Sequence, residues 1–288
     1  MVGEVHKQVK DMIKFNKRTI EVSHFPDGTQ YIKFPENPFL NYTDEIMWLY
    51  DSDEELFTLA CVVNWYNRVI KNPVKDKKFL RLVMPYVPNA RMDRIKNANE
   101  NFSLKVFANF INSLGFDEVC VMNVHSNVSE ALIDNINVRS YTIDWHIETV
   151  MKKEKPDVIF FPDEGACKRY TDLASVKESD LPVIFGIKKR DWKSGDIKGL
   201  DIITDIDIKD KKILIIDDIC SKGGTFMHSA IKLKNMGASD VVLYVSHCED
   251  NIKNGVLLDS ELISKIYTTD SILHIEDPKI QIIENFRK

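Results

Sequence analysis

The chain has 288 residues, of which 44% are hydrophobic and 29% charged, and a formal net charge of −5. At roughly 100–200 residues per domain, that length suggests two domains, with a core large enough to need neither disulfides nor a structural metal. The acidic balance lacks the strongly basic composition of a nucleic-acid binder, so no nucleic-acid partner is expected.

In chain order, residues 19–23 and 30–34 flank Phe25-Pro26-Asp27-Gly28, a turn sequence that predicts a hairpin. Residues 54–70 predict a helix and 79–84 a strand. Over 104–114 the apolar positions Phe107, Phe110, Ile111 and Leu114 recur at helical spacing, and Gly115 supplies a stop. Residues 119–124 predict the next strand. The second half continues the alternation, with strands at 157–161, 182–187, 212–216, 240–246 and 265–268 and helices at 165–174 and 225–236. Residues 188–200 (KKRDWKSGDIKGL) are polar, cationic and punctuated by glycine, and predict a mobile loop. Trp192 within it suits either stacking on a base or a half-buried anchor. Short apolar strands alternating with helices indicate βαβ units and a mainly parallel sheet. A division near 140–150 gives expected domains of 1–145 and 146–288.

Five cysteines (Cys61, Cys120, Cys167, Cys220, Cys248) are odd in number and widely spaced, without a CxxC pair. That argues against a disulfide framework or a zinc site and for free thiols in a reducing cytosol. The first residues carry no apolar segment of signal-peptide type, and no apolar run approaches the ~20 residues needed to span a bilayer. The expectation is a cytoplasmic protein with no membrane partner.

The most informative run is Ile213-Leu214-Ile215-Ile216-Asp217-Asp218-Ile219-Cys220-Ser221-Lys222-Gly223-Gly224-Thr225. A continuous β-branched stretch implies a strand buried on both faces. It leads into two acids and a Gly-Gly-Thr that opens a helix. Ligands of open α/β sheets bind past the carboxyl ends of strands, and a helix start offers unpaired N–H groups to a phosphate. The aspartates would accept from ribose hydroxyls or hold a divalent ion; the plainer alternative is that they cap the helix.

This run resembles the ribose-phosphate loop of phosphoribosyltransferases and of ribose-phosphate diphosphokinases, the phosphoribosyl diphosphate synthetases. Three further segments resemble the diphosphokinases in particular: Phe25-Pro26-Asp27-Gly28, the run Pro85-Tyr86-Val87-Pro88-Asn89-Ala90-Arg91-Met92-Asp93-Arg94, and Pro162-Asp163-Glu164-Gly165-Ala166-Cys167-Lys168-Arg169. Their order and spacing are similar to the family from about residue 15 to 270, and the simple transferases lack the first half. The resemblance implies an α/β fold of two type I phosphoribosyltransferase-like domains, each a mainly parallel twisted sheet flanked by helices. It implies Mg²⁺-dependent transfer of the β,γ-diphosphate of ATP to ribose 5-phosphate, and a homo-oligomer, dimer or hexamer.

The roles it implies are specific. Asp217, Asp218, Ser221, Lys222, Gly223, Gly224 and Thr225 would hold the ribose and its 5-phosphate. Arg91, Asp93 and His125 would face ATP, with His125 and Asp163 at the metal. Phe25 and Asp27 would contact the adenine of a nucleotide bound by a neighbouring subunit. Lys188, Lys189 and Arg190 are the expected catalytic cations, a role that fits phosphoryl transfer, where the protein stabilises charge on phosphate oxygens. The alternative for those three is a solvated charge run.

Several positions depart from the family's pattern. The usual Asp-Thr-Gly-Gly-Thr is here Ser221-Lys222-Gly223-Gly224-Thr225; Met92 replaces Gln, Thr29 replaces Glu and Asn123 replaces Asp. The gained cation at Lys222 suits a more anionic acceptor such as the diphosphate bridge of ADP-ribose. The acceptor is therefore read as ribose 5-phosphate or, alternatively, ADP-ribose. The losses also raise a second class, a non-catalytic regulatory paralogue. A phosphoribosyltransferase that consumes the activated sugar is a third, opposed by the 91–94 segment.

Overall fold

A computed structural model describes residues 12–36, 42–70, 78–190 and 197–287. Contacts divide the chain into two compact units. Unit 1 runs to Arg139 and takes in Arg287; unit 2 runs from Ser140 to Phe286.

Unit 1 contains β1 (Ile13–Phe15), β2 (Arg18–Thr19), β3 (Glu21–His24), β4 (Gln30–Lys33), β5 (Thr43–Trp48), α1 (Glu55–Trp65, continued by a π-helical turn Tyr66–Ile70), β6 (Phe79–Val83), α2 (Ser103–Ser113), β7 (Glu118–Val121), α3 (Val128–Leu132) and β8 (Ile136–Val138). Its main sheet has the order β2-β1-β5-β6-β7-β8. Strands β5 to β8 are parallel; β1 runs antiparallel to β5, and β2, antiparallel to β1, forms the edge. Strands β3 and β4 form the expected hairpin, paired from Glu21 with Lys33 to His24 with Gln30. The core gathers Phe15, Trp48, Leu59, Leu82, Phe107 and Ile111. Phe15 meets Trp65 edge-on at 5.3 Å, and Phe34 stacks on Trp65 at 4.7 Å. Of the periodic residues, Phe107 and Ile111 of α2 are buried, Phe110 and Leu114 are partly buried against the same core, and Gly115 (φ +69°) follows the helix end.

Unit 2 contains α4 (Ser140–Glu154), β9 (Val158–Phe161), α5 (Glu164–Tyr170), α6 (Ala174–Lys177), β10 (Val183–Arg190), β11 (Ile197–Ile203), β12 (Lys212–Cys220), α7 (Gly224–Asn235), β13 (Asp240–Cys248), β14 (Lys265–Thr268) and β15 (Ile280–Ile282). The sheet order is β11-β10-β9-β12-β13-β14-β15, parallel except for β11. Both faces are covered. Val241, Leu243 and Val245 pack in one cluster with Phe226, Ala230 and Leu233 of α7. On the other face Tyr244 meets His146 of α4, with Tyr244 Oη 3.2 Å from His146 Nδ1. Burial on both faces is what the unbroken Ile213-to-Ile216 run requires.

Two expectations change, and one strand was not expected at all. Strand β12 runs four residues beyond 216, so Asp217 and Asp218 lie inside its last turn of pairing; the parallel ladder to β13 continues through Ile219 with His247 and Cys220 with Cys248. The stretch 188–200 is not a loop throughout. Lys188, Lys189 and Arg190 finish β10 and pair with Leu200, Gly199 and Ile197 of β11, with a register shift between Lys189 and Arg190. An edge hairpin tolerates charge that a central strand would not, which is why a polar sequence is still strand here. Residues 191–196, with Trp192, lie outside the described residues. Finally, β5 was hidden by Asp44 and Glu45. Asp44 is buried, its Oδ1 accepting from Asn16 Nδ2 at 2.8 Å with Lys78 Nζ 3.6 Å from Oδ2.

Candidate active site

The junction of β12 and α7 carries the sharpest geometry. Asp217 and Asp218 are 8% and 4% exposed, and Asp218 N donates to Asp217 Oδ1 at 2.9 Å. Neighbouring residues of a strand face opposite sides, so the two carboxylates are not equivalent. Asp218 is taken by Arg169 of α5, whose Nη1 lies 3.1 Å from Asp218 Oδ2. Burial opposes the Arg169 charge, but Tyr170, Asp218 and Asp217 outweigh it and hold the guanidinium more firmly protonated than usual.

After Ser221 and the exposed Lys222, Gly223 is the helix N-cap in the left-handed conformation, φ +79°. Only glycine adopts this readily. A Cβ at Gly223 would also collide with Leu257, whereas at Gly224 it would meet nothing within 4 Å. No side chain caps α7. The first N–H groups of a helix have no intrahelical acceptor, so this start is suited to an anion. A short helical turn, Asp250–Asn254, backs the loop. Asn251 Nδ2 donates to Ser221 Oγ at 3.2 Å, and a side chain at Gly255 would collide with the Lys222 carbonyl. Nothing in the sequence marked this backing segment.

Asp163 is the N-cap of α5, its Oδ1 accepting from Ala166 N at 2.9 Å. The same short helix thus begins at Asp163 and ends beside Arg169. Lys188, Lys189 and Arg190 stand on β10, next to β9 in the sheet.

In unit 1, Asp93 is the centre of a second group. Arg94 grips it with Nε to Oδ1 at 2.7 Å and Nη2 to Oδ2 at 3.0 Å, and Ser126 Oγ donates to Oδ2 at 2.7 Å. The Arg94 bonds, then Ser126 and the nearby His125, hold the Asp93 carboxyl down at about 2. Asp93 and His125 are therefore brought together, with Arg91 exposed two residues away. Ser126 was not singled out from sequence; its only signal was its place after His125. At the hairpin, Asp27 Oδ1 accepts from Thr29 N and Thr29 Oγ1 at 3.0 and 2.7 Å, which lowers its pKa, while Phe25 is half exposed against Tyr31.

Among the described residues no group of three or more His, Cys, Asp or Glu side chains converges as a metal cluster. Mg²⁺ needs only one or two protein carboxylates when phosphates and water complete its shell. The oxygen donors of Asp163 fit that hard cation; the imidazole of His125 fits it poorly and suits phosphate oxygens better.

A mainly parallel sheet whose central strand ends in buried acids and feeds a glycine-started helix defines an α/β protein of the phosphoribosyltransferase type. The phosphoribosyl transferase domain family matches residues 135–278. A ribose-phosphate pyrophosphokinase of Methanobrevibacter smithii is 29% identical over 244 residues, covering 79% of this chain and 77% of that protein. One of Nitrosomonas europaea is 27% identical over 280 residues, covering 94% and 84%. The crystal structure of phosphoribosylpyrophosphate synthetase from Mycobacterium smegmatis superimposes with a TM-score of 0.68 at 17% identity, covering 93% of this chain and 86% of that one, a likeness of fold. The chain belongs to the phosphoribosyl transferase domain family, as a diverged member of its ribose-phosphate diphosphokinase branch.

Proposed function

We propose that the protein is a diphosphokinase that moves the β,γ-diphosphate of ATP to the anomeric hydroxyl of ribose 5-phosphate, giving 5-phosphoribosyl 1-diphosphate and AMP. The observation that carries this reading is the β12–α7 junction. Buried acids near the end of β12 precede, across Ile219 to Lys222, a left-handed Gly223 and an uncapped helix start. The relatives that match along the chain are named ribose-phosphate pyrophosphokinases.

In this reading the backbone amides at the start of α7 and the Ser221 and Thr225 hydroxyls grip the 5-phosphate, and Lys222 adds charge. Asp217 accepts from the ribose hydroxyls, and Asp218 does so under the control of Arg169. Remote grip on the phosphate orients the anomeric hydroxyl for attack on the β-phosphorus. Arg91, Asp93 and His125 serve ATP in unit 1, where Ser126 fixes the Asp93 carboxylate. The exposed tip of the hairpin, with Phe25 and Asp27, suits contact with a nucleotide bound by a second copy of the chain in a homo-oligomer. Lys188, Lys189 and Arg190 supply cations to the transferring group. Asp163 would hold Mg²⁺, which when bound screens the charge of the triphosphate.

A second acceptor, ADP-ribose, is favoured by one observation: the helix start at Gly224 faces open space beside the exposed Lys222. A phosphate esterified to a further phosphate would have room and a cation there. The test is incubation of the pure protein with Mg-ATP and each acceptor, alone and in competition, with AMP measured and products identified by mass spectrometry. AMP and a sugar 1-diphosphate support the reading. No AMP with either acceptor would indicate a non-catalytic paralogue and sink it.

A further inference from the structure

The turn Asp250–Asn254 is a 3₁₀ helix, in which side chains three residues apart eclipse. Asn254 therefore stands over Asn251, and Asn254 Nδ2 donates to Asn251 Oδ1 at 3.0 Å. With its oxygen occupied in this way, Asn251 turns its nitrogen to the β12–α7 loop, where Nδ2 donates to Ser221 Oγ at 3.2 Å. The turn is held from several sides. Ile252 is fully buried in the unit 2 core, Asp250 Oδ1 accepts from His274 N at 2.7 Å, and Glu249 N donates to the Cys220 carbonyl at 2.8 Å. Just beyond it, Lys279 Nζ donates to the carbonyls of Leu257, at 2.7 Å, and Ser260. Asn251 is thus fixed relative to the residue that opens the loop.

The direction of the Asn251–Ser221 bond has a chemical consequence. A serine hydroxyl carries one proton and two lone pairs. Among the described residues Ser221 Oγ makes this one hydrogen bond, and makes it as acceptor. Its proton is left for a ligand, and phosphate oxygens are strong acceptors. Accepting from Asn251 also polarises the hydroxyl and strengthens its own donation. An aspartate at this place, as in the family's usual pattern, would accept from Asn251 equally well but has no proton to offer a phosphate.

We infer that Asn251, oriented by Asn254, is a positioning residue for the sugar phosphate: it donates to the Ser221 oxygen and commits the Ser221 hydroxyl proton to the phosphate. The inference rests on the phosphate reading of the β12–α7 loop and assigns a role to a segment outside the motifs that suggested it.

The test is calorimetric titration of the full chain with ribose 5-phosphate and, separately, with ADP-ribose, both of which carry phosphate at the ribose 5-position. The proteins compared are the parent, Asn251→Ala, Asn251→Asp, Ser221→Ala and the Ser221→Ala/Asn251→Ala double variant. Asn251→Ala is expected to weaken the ligand that the parent binds by about threefold or more, the scale of one net hydrogen bond. In the Ser221→Ala background the same change is expected to matter by at most about twofold, because a residue that acts through Ser221 has nothing left to orient. A purely structural role would keep its full effect there. Asn251→Asp keeps the shape but takes the Ser221 proton and sets a negative charge beside the phosphate, so it is expected to weaken binding by about tenfold or more. Unchanged binding by either Asn251 variant, or a full Asn251→Ala effect without the Ser221 hydroxyl, would overturn the relay and leave the phosphate loop standing. Binding of neither ligand by the parent would sink the phosphate reading and the relay with it. Should Asn251→Ala fail to fold, the shape-preserving Asn251→Asp still decides.

Discussion

Arg169 and Asp218 form an ion pair of 3.1 Å in which the guanidinium is 23% exposed and the carboxylate 6%. Replacing Arg169 with methionine keeps much of the side-chain volume and strands a buried charge. Breaking a buried pair costs about 3 kcal/mol or more, so thermal melts should show a drop of several degrees. If Asp218 serves the sugar, the KM for ribose 5-phosphate should rise while the KM for ATP stays level. Arg169→Lys should recover part of both. A variant with lowered stability and an unchanged sugar KM would confine Arg169 to a structural role.

Gly223 and Gly224 are adjacent and should respond oppositely to alanine. At Gly223 the left-handed backbone costs a β-carbon residue about 1–2 kcal/mol, and the collision with Leu257 adds to it. Gly223→Ala should therefore melt earlier. Gly224 starts the helix and faces open space. Gly224→Ala should melt at or above the parent temperature, its effect confined to a raised KM for the phosphorylated sugar. Melting curves beside steady-state kinetics separate the two outcomes.

Glu154 is a hub in unit 2: its oxygens accept from Lys212 Nζ at 2.6 Å, Lys265 Nζ at 2.8 Å and Tyr267 Oη at 2.5 Å. Burial alone would raise its pKa, but those three donors outweigh it and bring the value down to about 2 from 4.5. A folded pKa below the unfolded one contributes stability above the unfolded value and loses it as pH falls through the folded value. The hub's contribution should thus be full above about pH 4.5 and vanish by about pH 2. Glu154→Gln should cost on the order of 2 kcal/mol at neutral pH, the scale of hydrogen bonds to a buried charge. Denaturant melts of the variant should also show a shallower loss of stability from pH 4.5 to 2.

Ser126 and Asp93 join the loops that follow β6 and β7 through one hydrogen bond of 2.7 Å. Ser126→Ala removes it and should cost about 1 kcal/mol of local order. The Asp93 carboxyl, held at about 2, should then titrate higher, since Ser126 is one of its lowering partners. The expected kinetic signature is a several-fold rise in the KM for ATP with the sugar KM unchanged. NMR titration of the Asp93 carboxyl carbon provides a check that does not depend on turnover.

What the sequence disclosed follows from how local each signal was. The Ile213-to-Ile216 run and Gly223-Gly224-Thr225 announce a buried strand and a helix start because periodicity and glycine chemistry act over a few residues. That Asp218 answers to Arg169 was not legible, although Arg169 closes the Pro162–Arg169 motif, because 49 residues separate them and only the sheet order β9-β12 makes them neighbours. Strand β5 escaped because its buried Asp44 reads as a surface acid until Asn16 and Lys78 are seen beside it. Lys188 to Arg190 read as loop because edge pairing with β11, not hydrophobicity, makes them strand.

If the chain accepts ADP-ribose, Lys222 is the residue expected to favour it over ribose 5-phosphate. It is exposed in the β12–α7 loop, beside the open helix start at Gly224. A cation there interacts with one added phosphate charge more than with none, and partial exposure to water keeps the difference modest, about 0.5–1 kcal/mol. Lys222→Thr should therefore lower kcat/KM for ADP-ribose relative to ribose 5-phosphate by about two- to fivefold. Raising the salt concentration should shrink the parent enzyme's preference toward that of the variant. Competition between the two acceptors, with products resolved by mass, gives the ratio directly. An identical ratio in parent and variant would mean that Lys222 does not read the acceptor's charge.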